Sequence, residues 1–211
     1  NFNEESQIIR QGVGNIHDVL DGDTLSEVMD GSVRNLTNQQ TELVGKASSD
    51  VDRLSGVFFT NVINCPLESV EKNIYALNQP ELHPDSYDEY NRIYTSNLES
   101  YEAREEDLIS WETNYAVSGF GYAYDAMVYG DLRYVSLQNE SIFGPVLISR
   151  SILSEPAFFD EDSTDRGMFQ DFQLEIFYER KSGETMHIYA IWREMIMAGS
   201  IDFSSESSQR L

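Results

Sequence analysis

The sequence predicts an α+β domain in which an N-terminal helical half packs on a C-terminal antiparallel sheet. From about residue 4 to residue 114 the apolar residues recur at steps of three and four, which is the period of a helix. From about residue 115 to residue 203 they alternate, which is the period of a strand. We therefore expect a single domain over residues 1–211, with four to five helices, four to five strands and a frayed tail at 204–211.

The predicted helical half begins with two apolar stripes on either side of a turn. The first stripe runs from Glu4 to Leu20, and the second resumes at Leu25 and stops at Gly45. A third run over 51–62 keeps the same spacing. Because residues at these steps share one face of a helix, we expect helices in all three segments.

Prolines mark the remaining predicted helices. Pro66 is suited to the first turn of a helix that has Asn64 or Cys65 as its cap, and Pro80 ends that helix. Pro84 then begins the longest predicted helix, which continues to about residue 112. One face of it carries apolar residues at helical spacing: Tyr87, Tyr90, Ile93, Tyr94, Leu98, Tyr101, Leu108 and Trp111.

Alternation predicts the strands of the C-terminal half. The clearest runs cover residues 122–136 and 146–153. The best hairpin joins 172–179 to 186–192 through the glycine-containing turn at 181–184. The connections are short, so we expect antiparallel pairing. In places the residues at both alternating positions of a strand are apolar, so we expect parts of both sheet faces to be covered.

The net charge limits the partners of this chain. There are 37 acidic against 14 basic residues, a formal charge of −23. Such a surface repels phosphate backbones and anionic membranes, so we expect no nucleic-acid partner. Cations, basic proteins and neutral ligands remain, and a solvated acidic coat of a salt-adapted protein explains the charge equally well. We expect a small neutral ligand or a protein partner.

The single cysteine and the hydropathy bear on the compartment. Cys65 has no second cysteine to pair with, which suits a reducing cytoplasm and an envelope protein without disulfides alike. No stretch approaches 18 apolar residues, so we expect no transmembrane segment. The sequence begins Asn1-Phe2-Asn3 without methionine, as after removal of a signal peptide or lipoprotein leader, or after trimming. We expect an extracytoplasmic location, periplasmic or envelope-anchored.

One short stretch resembles a known metal-binding turn. Residues 17–25 read HDVLDGDTL, which is similar to the opening turn of the staphylococcal-nuclease-like family. That resemblance implies a calcium ion held by an aspartate of the turn, followed by an arginine and then an Asp-[Thr/Ala]-Pro-Glu motif. Arg34 falls near the expected distance, but residues 37–42 read TNQQTE and supply no such motif. The resemblance covers 15 to 20 residues and lacks the catalytic half.

The same letters have a simpler structural interpretation. Asp21-Gly22 makes a turn, and Asp23 or Thr24 caps a helix beginning at Leu25. Glu27 lies where the second member of a capping box is found. We therefore interpret the stretch as a turn and a helix cap.

Other metal and cofactor patterns are incomplete. The loop at 160–165 has carboxylates at positions one, three and six, whereas an EF-hand needs oxygen ligands at one, three and five and a glycine at six. Whether that loop binds a cation stays open. His17, His83 and His187 show no paired spacing, so we predict no zinc site. Neither glycine-rich phosphate-binding motif occurs, and we predict no cofactor.

No candidate nucleophile lies in a recognisable catalytic motif, so we assign no catalytic residue. Ser118 lies beside Gly119, with His187 as a distant base, but the Gly-x-Ser-x-Gly elbow is absent. Cys65 beside Pro66 has the character of a small apolar residue. We therefore favour a non-enzymatic protein over an enzyme. The alternative is a hydrolase whose site is assembled from dispersed residues.

Tyrosines are the remaining functional signal. A tyrosine has an apolar ring and a hydroxyl that needs a partner or water. If the long predicted helix lies over the sheet, tyrosines from both would line a cleft for a neutral, partly apolar ligand. The alternative is a tyrosine-rich core whose hydroxyls reach the surface. The candidate ligand-binding residues are Tyr87, Tyr90, Tyr94, Tyr101, Tyr122 and Tyr124.

These features together favour a non-enzymatic, extracytoplasmic binding or interaction protein of a bacterial cell envelope. The acidic surface, the lack of catalytic motifs and the tyrosine-rich segments are the reasons for it.

The interpretation of residues 17–25 as a helix cap predicts the effect of one double substitution. Asp21→Ala with Asp23→Ala should lower the free energy of unfolding by about 1 kcal/mol, because a cap is lost. Calcium affinity, measured by titration calorimetry, should be the same in both proteins. A calcium signal present in the wild type and lost in the double variant would restore the metal site.

Overall fold

The computed structural model describes residues 30–32, 38, 53–84, 86–119, 122–139, 142–159, 164–181 and 183–197. Strands dominate these residues: β1 Asp30–Ser32, β2 Ser55–Ile63, β3 Glu89–Tyr94, β4 Leu108–Gly119, β5 Tyr122–Asn139, β6 Ile142–Leu153, β7 Ala157–Phe158, β8 Gly167–Lys181 and β9 Glu184–Ile196. The helices described are short: α1 Leu67–Tyr75, α2 Gln79–Leu82 and α3 Leu98–Glu102. None of them has the length and apolar content needed to cross a membrane.

All described strands belong to one antiparallel sheet. Its order is β1-β2-β9-β8-β6-β5-β4-β3, and β7 pairs with β8 beside this path. Strands β2 and β3 follow each other in sequence but lie near opposite edges of the sheet. The chain between them, which contains α1 and α2, therefore has to cross the sheet. This crossing places α1 against β8 and β9.

The predicted fold class, a half of four to five helices on a sheet of four to five strands, is wrong. The run at 51–62 contributes to β2, and the long helix predicted from Pro84 to residue 112 is replaced by β3, α3 and β4. The predicted helical segments before residue 51 lie almost entirely outside the described residues. Tyrosine-rich segments satisfy helical and strand periods together, and pairing with a neighbouring strand decides between them.

The helix predicted after Pro66 is present as α1. Pro66 itself is the N-cap residue, in place of Asn64 or Cys65, because its extended backbone leads directly into the first turn. Leu67 and Val70 are buried against the sheet. Pro80 does not end this helix but lies in the first turn of α2, where its missing N–H costs no hydrogen bond.

The C-terminal hairpin is confirmed. Strands β8 and β9 pair as an antiparallel hairpin across the predicted turn, with Ile176 opposite Ile188 and Lys181 opposite Glu184. Gly183 in the connecting turn has φ of +80°, a left-handed conformation that suits glycine. The alternating run predicted over 122–136 is the single strand β5.

The sheet is buried on both faces over much of its area. The inner face, toward α1, carries an apolar cluster formed with the helices: Leu67, Val70, Tyr75, Tyr101, Ile109, Trp111, Leu132, Leu147 and Phe177. The alternate residues of the central strands form a second buried cluster on the outer face: Leu54, Val146, Ile148, Phe172, Leu174, Ile176, Met186, Ile188, Ala190 and Trp192. A strand buried on both faces loses clean apolar alternation.

Gly130 allows one aromatic ring to lie flat on the inner face. It sits opposite Trp111 in the pairing of β4 with β5. A Cβ at Gly130 would lie 2.5 Å from Cε2 and 2.9 Å from Cζ2 of the Trp111 indole. Only glycine therefore leaves room for the ring to cover the strand at this point.

Gly130→Ala should destabilise the fold, because the indole of Trp111 has to move out of a packed site. Overpacking of this kind costs about 1–3 kcal/mol. Chemical denaturation followed by tryptophan fluorescence measures it. Gly119→Ala is the matched control, because a Cβ at Gly119 meets nothing within 4 Å. Equal stability of the two variants would contradict the packing argument.

Candidate ligand-binding cavity

A cavity of about 800 Å³ lies between the helical crossing and the inner face of the sheet. Its roof is formed by α1 and by the segment that continues from α1 into α2. Roof residues that line the cavity include Val70, Ile74 and Gln79. Its wall and floor are strand residues with inward side chains. These residues are Tyr87 and Tyr90 near β3, Trp111, Thr113, Tyr115 and Val117 of β4, Tyr124 and Val128 of β5, Ser149 and Ser151 of β6, Asp171, Gln173, Glu175 and Phe177 of β8, and His187 and Arg193 of β9.

An ion pair between a buried carboxylate and an exposed guanidinium fixes the roof. Glu71 of α1 is only 4% exposed, and both of its carboxylate oxygens bind Arg104. The hydroxyl of Tyr101, in α3, donates to Glu71 Oε1 at 2.5 Å. The Arg104 guanidinium also lies 3.9 Å from the ring centroid of Tyr134. This cluster therefore joins α1 to α3 and to strand β5.

Arg92 of β3 fixes the far end of α1. Its Nη1 donates to the carbonyls of Ile74 and Ala76, at 2.6 and 3.2 Å. The guanidinium stacks 4.6 Å from the centroid of the Trp111 ring. These carbonyls belong to the helix C-terminus, where a cation is favoured by the helix dipole. Arg92 thus holds the helix end above the indole that Gly130 accommodates.

Four tyrosines form the aromatic wall of the cavity. Ring centroids of Tyr87 and Tyr90 are 4.8 Å apart, those of Tyr87 and Tyr115 are 5.7 Å apart, and those of Tyr115 and Tyr124 are 6.2 Å apart. The Tyr90 hydroxyl is buried without a well-formed hydrogen bond, although Arg92 and Thr113 lie beside it. The wall offers apolar ring faces and hydroxyl groups together.

The floor of the cavity is polar, and its charges are paired. Asp171 accepts hydrogen bonds from Arg193 Nε and, at 2.6 Å, from Gln173 Nε2. His187 Nε2 lies 2.8 Å from Glu175 Oε2, and its Nδ1 lies 3.1 Å from Asn61 Oδ1.

A third ion pair lies on the opposite face of the sheet. Arg150 alternates with Ser149 and Ser151, so its guanidinium points away from them and makes a bidentate contact with Asp131 of the adjacent strand β5. On the cavity face, Asp171 and Arg193 neutralise each other.

Burial shifts the proton affinity of the phenols in and around the cavity. Loss of solvent raises the pKa of Tyr115 and Tyr124, and also that of Tyr189 on β9. Desolvation acts to lower the pKa of Arg193, but its ion pair with Asp171 outweighs that effect and raises the pKa. At neutral pH the cavity thus presents neutral phenols and a charged Asp171–Arg193 pair.

The structure separates the six tyrosines that the sequence grouped. Tyr87, Tyr90 and Tyr124 line the cavity, although not from the helix face on which the first two were placed. The other three lie outside its lining. The Tyr94 hydroxyl donates to the Tyr75 carbonyl at 2.5 Å, Tyr101 is fully buried against Glu71, and Tyr122 stacks on Tyr124 and Phe159.

Tyr115 and the polar residues of the cavity floor were not identified from the sequence. The signal lies in β8, where Asp171, Gln173 and Glu175 alternate with residues that are all apolar. The apolar residues point to the core on one face of the sheet, and the polar residues between them face the cavity.

The earlier candidates for metal and nucleophile chemistry do not come together. His83, His187 and Cys65 all line the cavity, whereas Ser118 is exposed outside its lining. Within the described ranges no three His, Cys, Asp or Glu side chains are grouped as metal ligands would be. Most of the acidic loop at 160–165, and all of residues 17–25, lie outside the described residues.

Comparisons with known proteins add little to this geometry. No protein-family model matches the chain, and no curated protein sequence matches it. Among solved structures it is similar to the lipid transfer and protein localization domain of human StarD13 (DLC2), at 10% identity and a TM-score of 0.48, over 75% of this chain and 71% of that one. A score below 0.5 does not establish a shared fold, so the ligand has to be argued from the cavity itself.

The buried phenols predict a loss of stability at alkaline pH. Tyr115 and Tyr189 ionise near pH 10 in the unfolded chain and above it in the folded protein. The folded state therefore holds more protons above pH 10, and stability present below that pH falls as the pH rises, by about 1.4 kcal/mol per unit for each such group. Phenolate absorbance and circular dichroism should change together. Phenols that titrate near pH 10 in a folded protein would contradict the burial.

Proposed function

We propose that this protein binds a small, uncharged and partly apolar molecule in the cavity beneath α1 and performs no chemistry on it. The observation that carries the proposal is the cavity, walled by four tyrosines and bounded by charges that are already paired. A volume of about 800 Å³ falls in the range of small-molecule sites. Aromatic rings with a few fixed polar groups are the usual lining of such sites.

The paired charges favour an uncharged ligand. Arg193 is bound to Asp171, Glu175 to His187, and Arg92 to helix carbonyls. An ionic ligand would have to break one of these contacts, and the group left behind would be buried without its partner. A neutral molecule leaves all three in place.

Binding is favoured over the alternative of a dispersed hydrolase. The two carboxylates of the cavity floor, Asp171 and Glu175, are each engaged with a neighbouring side chain. A hydrolase needs one carboxylate or imidazole directed at a nucleophile or a water. Ser118, the serine that the sequence suggested as nucleophile, lies outside the cavity lining. These contacts support a site that holds a ligand.

An extracytoplasmic location in a bacterial envelope is part of this proposal. Its support is compositional, because a chain of charge −23 suits surroundings in which external salt screens its self-repulsion. Expression of the full reading frame followed by cell fractionation tests it. Recovery in the cytoplasmic fraction alone would overturn the location without affecting the binding proposal.

A variant that obstructs the cavity tests binding whatever the ligand is. Val117 lines the cavity between the tyrosines, and Val117→Trp should place an indole in the ligand's space without filling it. Ligand-observed NMR with a panel of neutral small molecules should show binding to the wild type that is weakened in this variant. Ile93→Trp is the matched control, because Ile93 is 57% exposed and outside the lining. Affinities that are the same in Val117→Trp as in the wild type, or a panel without any binder, would overturn the function.

A further inference from the structure

Polar side chains form a continuous band on the cavity face of the central strands, whereas on the opposite face of the described strands they occur as two separate pairs, Arg150 with Asp131 and Gln170 with Glu194. Strand pairing places Ser149 beside Glu175, Ser151 beside Gln173, and Asp171 beside Arg193. Together they form a band across β6, β8 and β9, which we call the polar floor. All six residues line the cavity. Neighbouring strands therefore present hydroxyl, amide, carboxylate and guanidinium groups to a single ligand.

Solvent exposure does not account for this band. Asp171 and Ser149 are only 4% and 5% exposed. On the opposite face of the same strands, Ile148, Leu174 and Ile176 are buried and apolar. Along residues 171–176 of β8 the packed face is thus apolar and the cavity face is polar. Groups of this kind are normally buried only when hydrogen bonds replace those lost to water.

An acyl chain does not fit such a floor. It would remove water from the hydroxyls of Ser149 and Ser151 and from the amide of Gln173, and it has no group to bind them in return. Buried polar groups left in that state disfavour the complex. A ligand with several hydroxyls would form a new hydrogen bond for each one that these groups lose to water. Its charge-assisted hydrogen bonds to Asp171 or Glu175 would be the strongest.

The aromatic wall beside the floor requires a different surface of the same ligand. Tyr115 and Tyr124 present ring faces and edges, which favour contact with C–H groups. The ligand therefore has hydroxyls along one part of its surface and an apolar face on another. The paired charges of the floor leave no requirement for a net charge.

We propose that the ligand is an uncharged saccharide of one or two rings, whose hydroxyls bind the polar floor and whose C–H face packs on the tyrosine wall. A pyranose ring has both surfaces, and an acyl chain has only the second. This inference rests on the proposed binding function and adds the chemical class of the ligand.

Two-dimensional NMR titration tests the class. The probes are glucose, galactose, mannose, N-acetylglucosamine, maltose, cellobiose and lactose, with 1-octanol as the uncharged apolar comparator. At least one saccharide should shift the backbone amides of residues 149–151 and 171–175. Saccharides that leave these amides unshifted, while 1-octanol shifts them, would overturn the saccharide class and leave the binding function standing. Failure of every probe, together with a failed neutral panel, would overturn both.

A double substitution in the polar floor tests the contribution of hydrogen bonding separately from that of cavity shape. Ser151→Ala with Gln173→Met keeps most of the volume and removes a hydroxyl and an amide. Saccharide affinity should fall at least tenfold, and 1-octanol should gain affinity. Ser118→Ala is the matched control, because Ser118 is exposed outside the lining, and near-ultraviolet circular dichroism checks that the floor variant is folded. Unchanged saccharide affinity in a folded floor variant would overturn the inference.

Discussion

The ion pair between the buried Glu71 and Arg104 is the interaction on which the rest of the cavity depends. Helix α1 carries Glu71 into an apolar cluster, where an unpaired carboxylate would be strongly disfavoured. Arg104 reaches it from a left-handed backbone conformation, φ 59°, directly after α3. Tyr101 completes the set of hydrogen bonds from below. A short helix that crosses a sheet has few contacts of its own, and this cluster fixes its height above the strands.

The cavity exists because its two surfaces cannot close on each other. Arg92 holds the end of α1 over Trp111, and the Glu71 cluster holds the middle of the helix. Collapse of the helix onto the sheet would bury the polar floor against apolar side chains, which would leave its hydrogen-bonding groups unsatisfied. The same polar groups that favour a hydroxyl-bearing ligand therefore also keep the space open.

Only part of the candidate site could be read from the sequence. The tyrosine content predicted an aromatic lining, and Tyr87, Tyr90 and Tyr124 do lie at the cavity. Tyr94 and Tyr101 have the same composition signal, but their hydroxyls are bound to Tyr75 and Glu71. A tyrosine ring in a core contacts other side chains, whereas a tyrosine ring in a cleft faces open space. The contacting side chains come from distant segments of the sequence, so local spacing does not identify them.

The sequence by itself determined the elements whose contacts are local. Alternation with a glycine turn specifies the β8–β9 hairpin, and a proline followed by an apolar stripe specifies α1. Tertiary structure decided the segment from Pro84 to residue 112, because its aromatic residues fit a helix and a strand equally well. Pairing of β3 with β4 selected the strand, since it satisfies the backbone hydrogen bonds of both and turns Tyr90, Arg92 and Tyr94 toward the inner face. The cavity is a product of that choice, because its wall, floor and roof come from segments that only the sheet brings together.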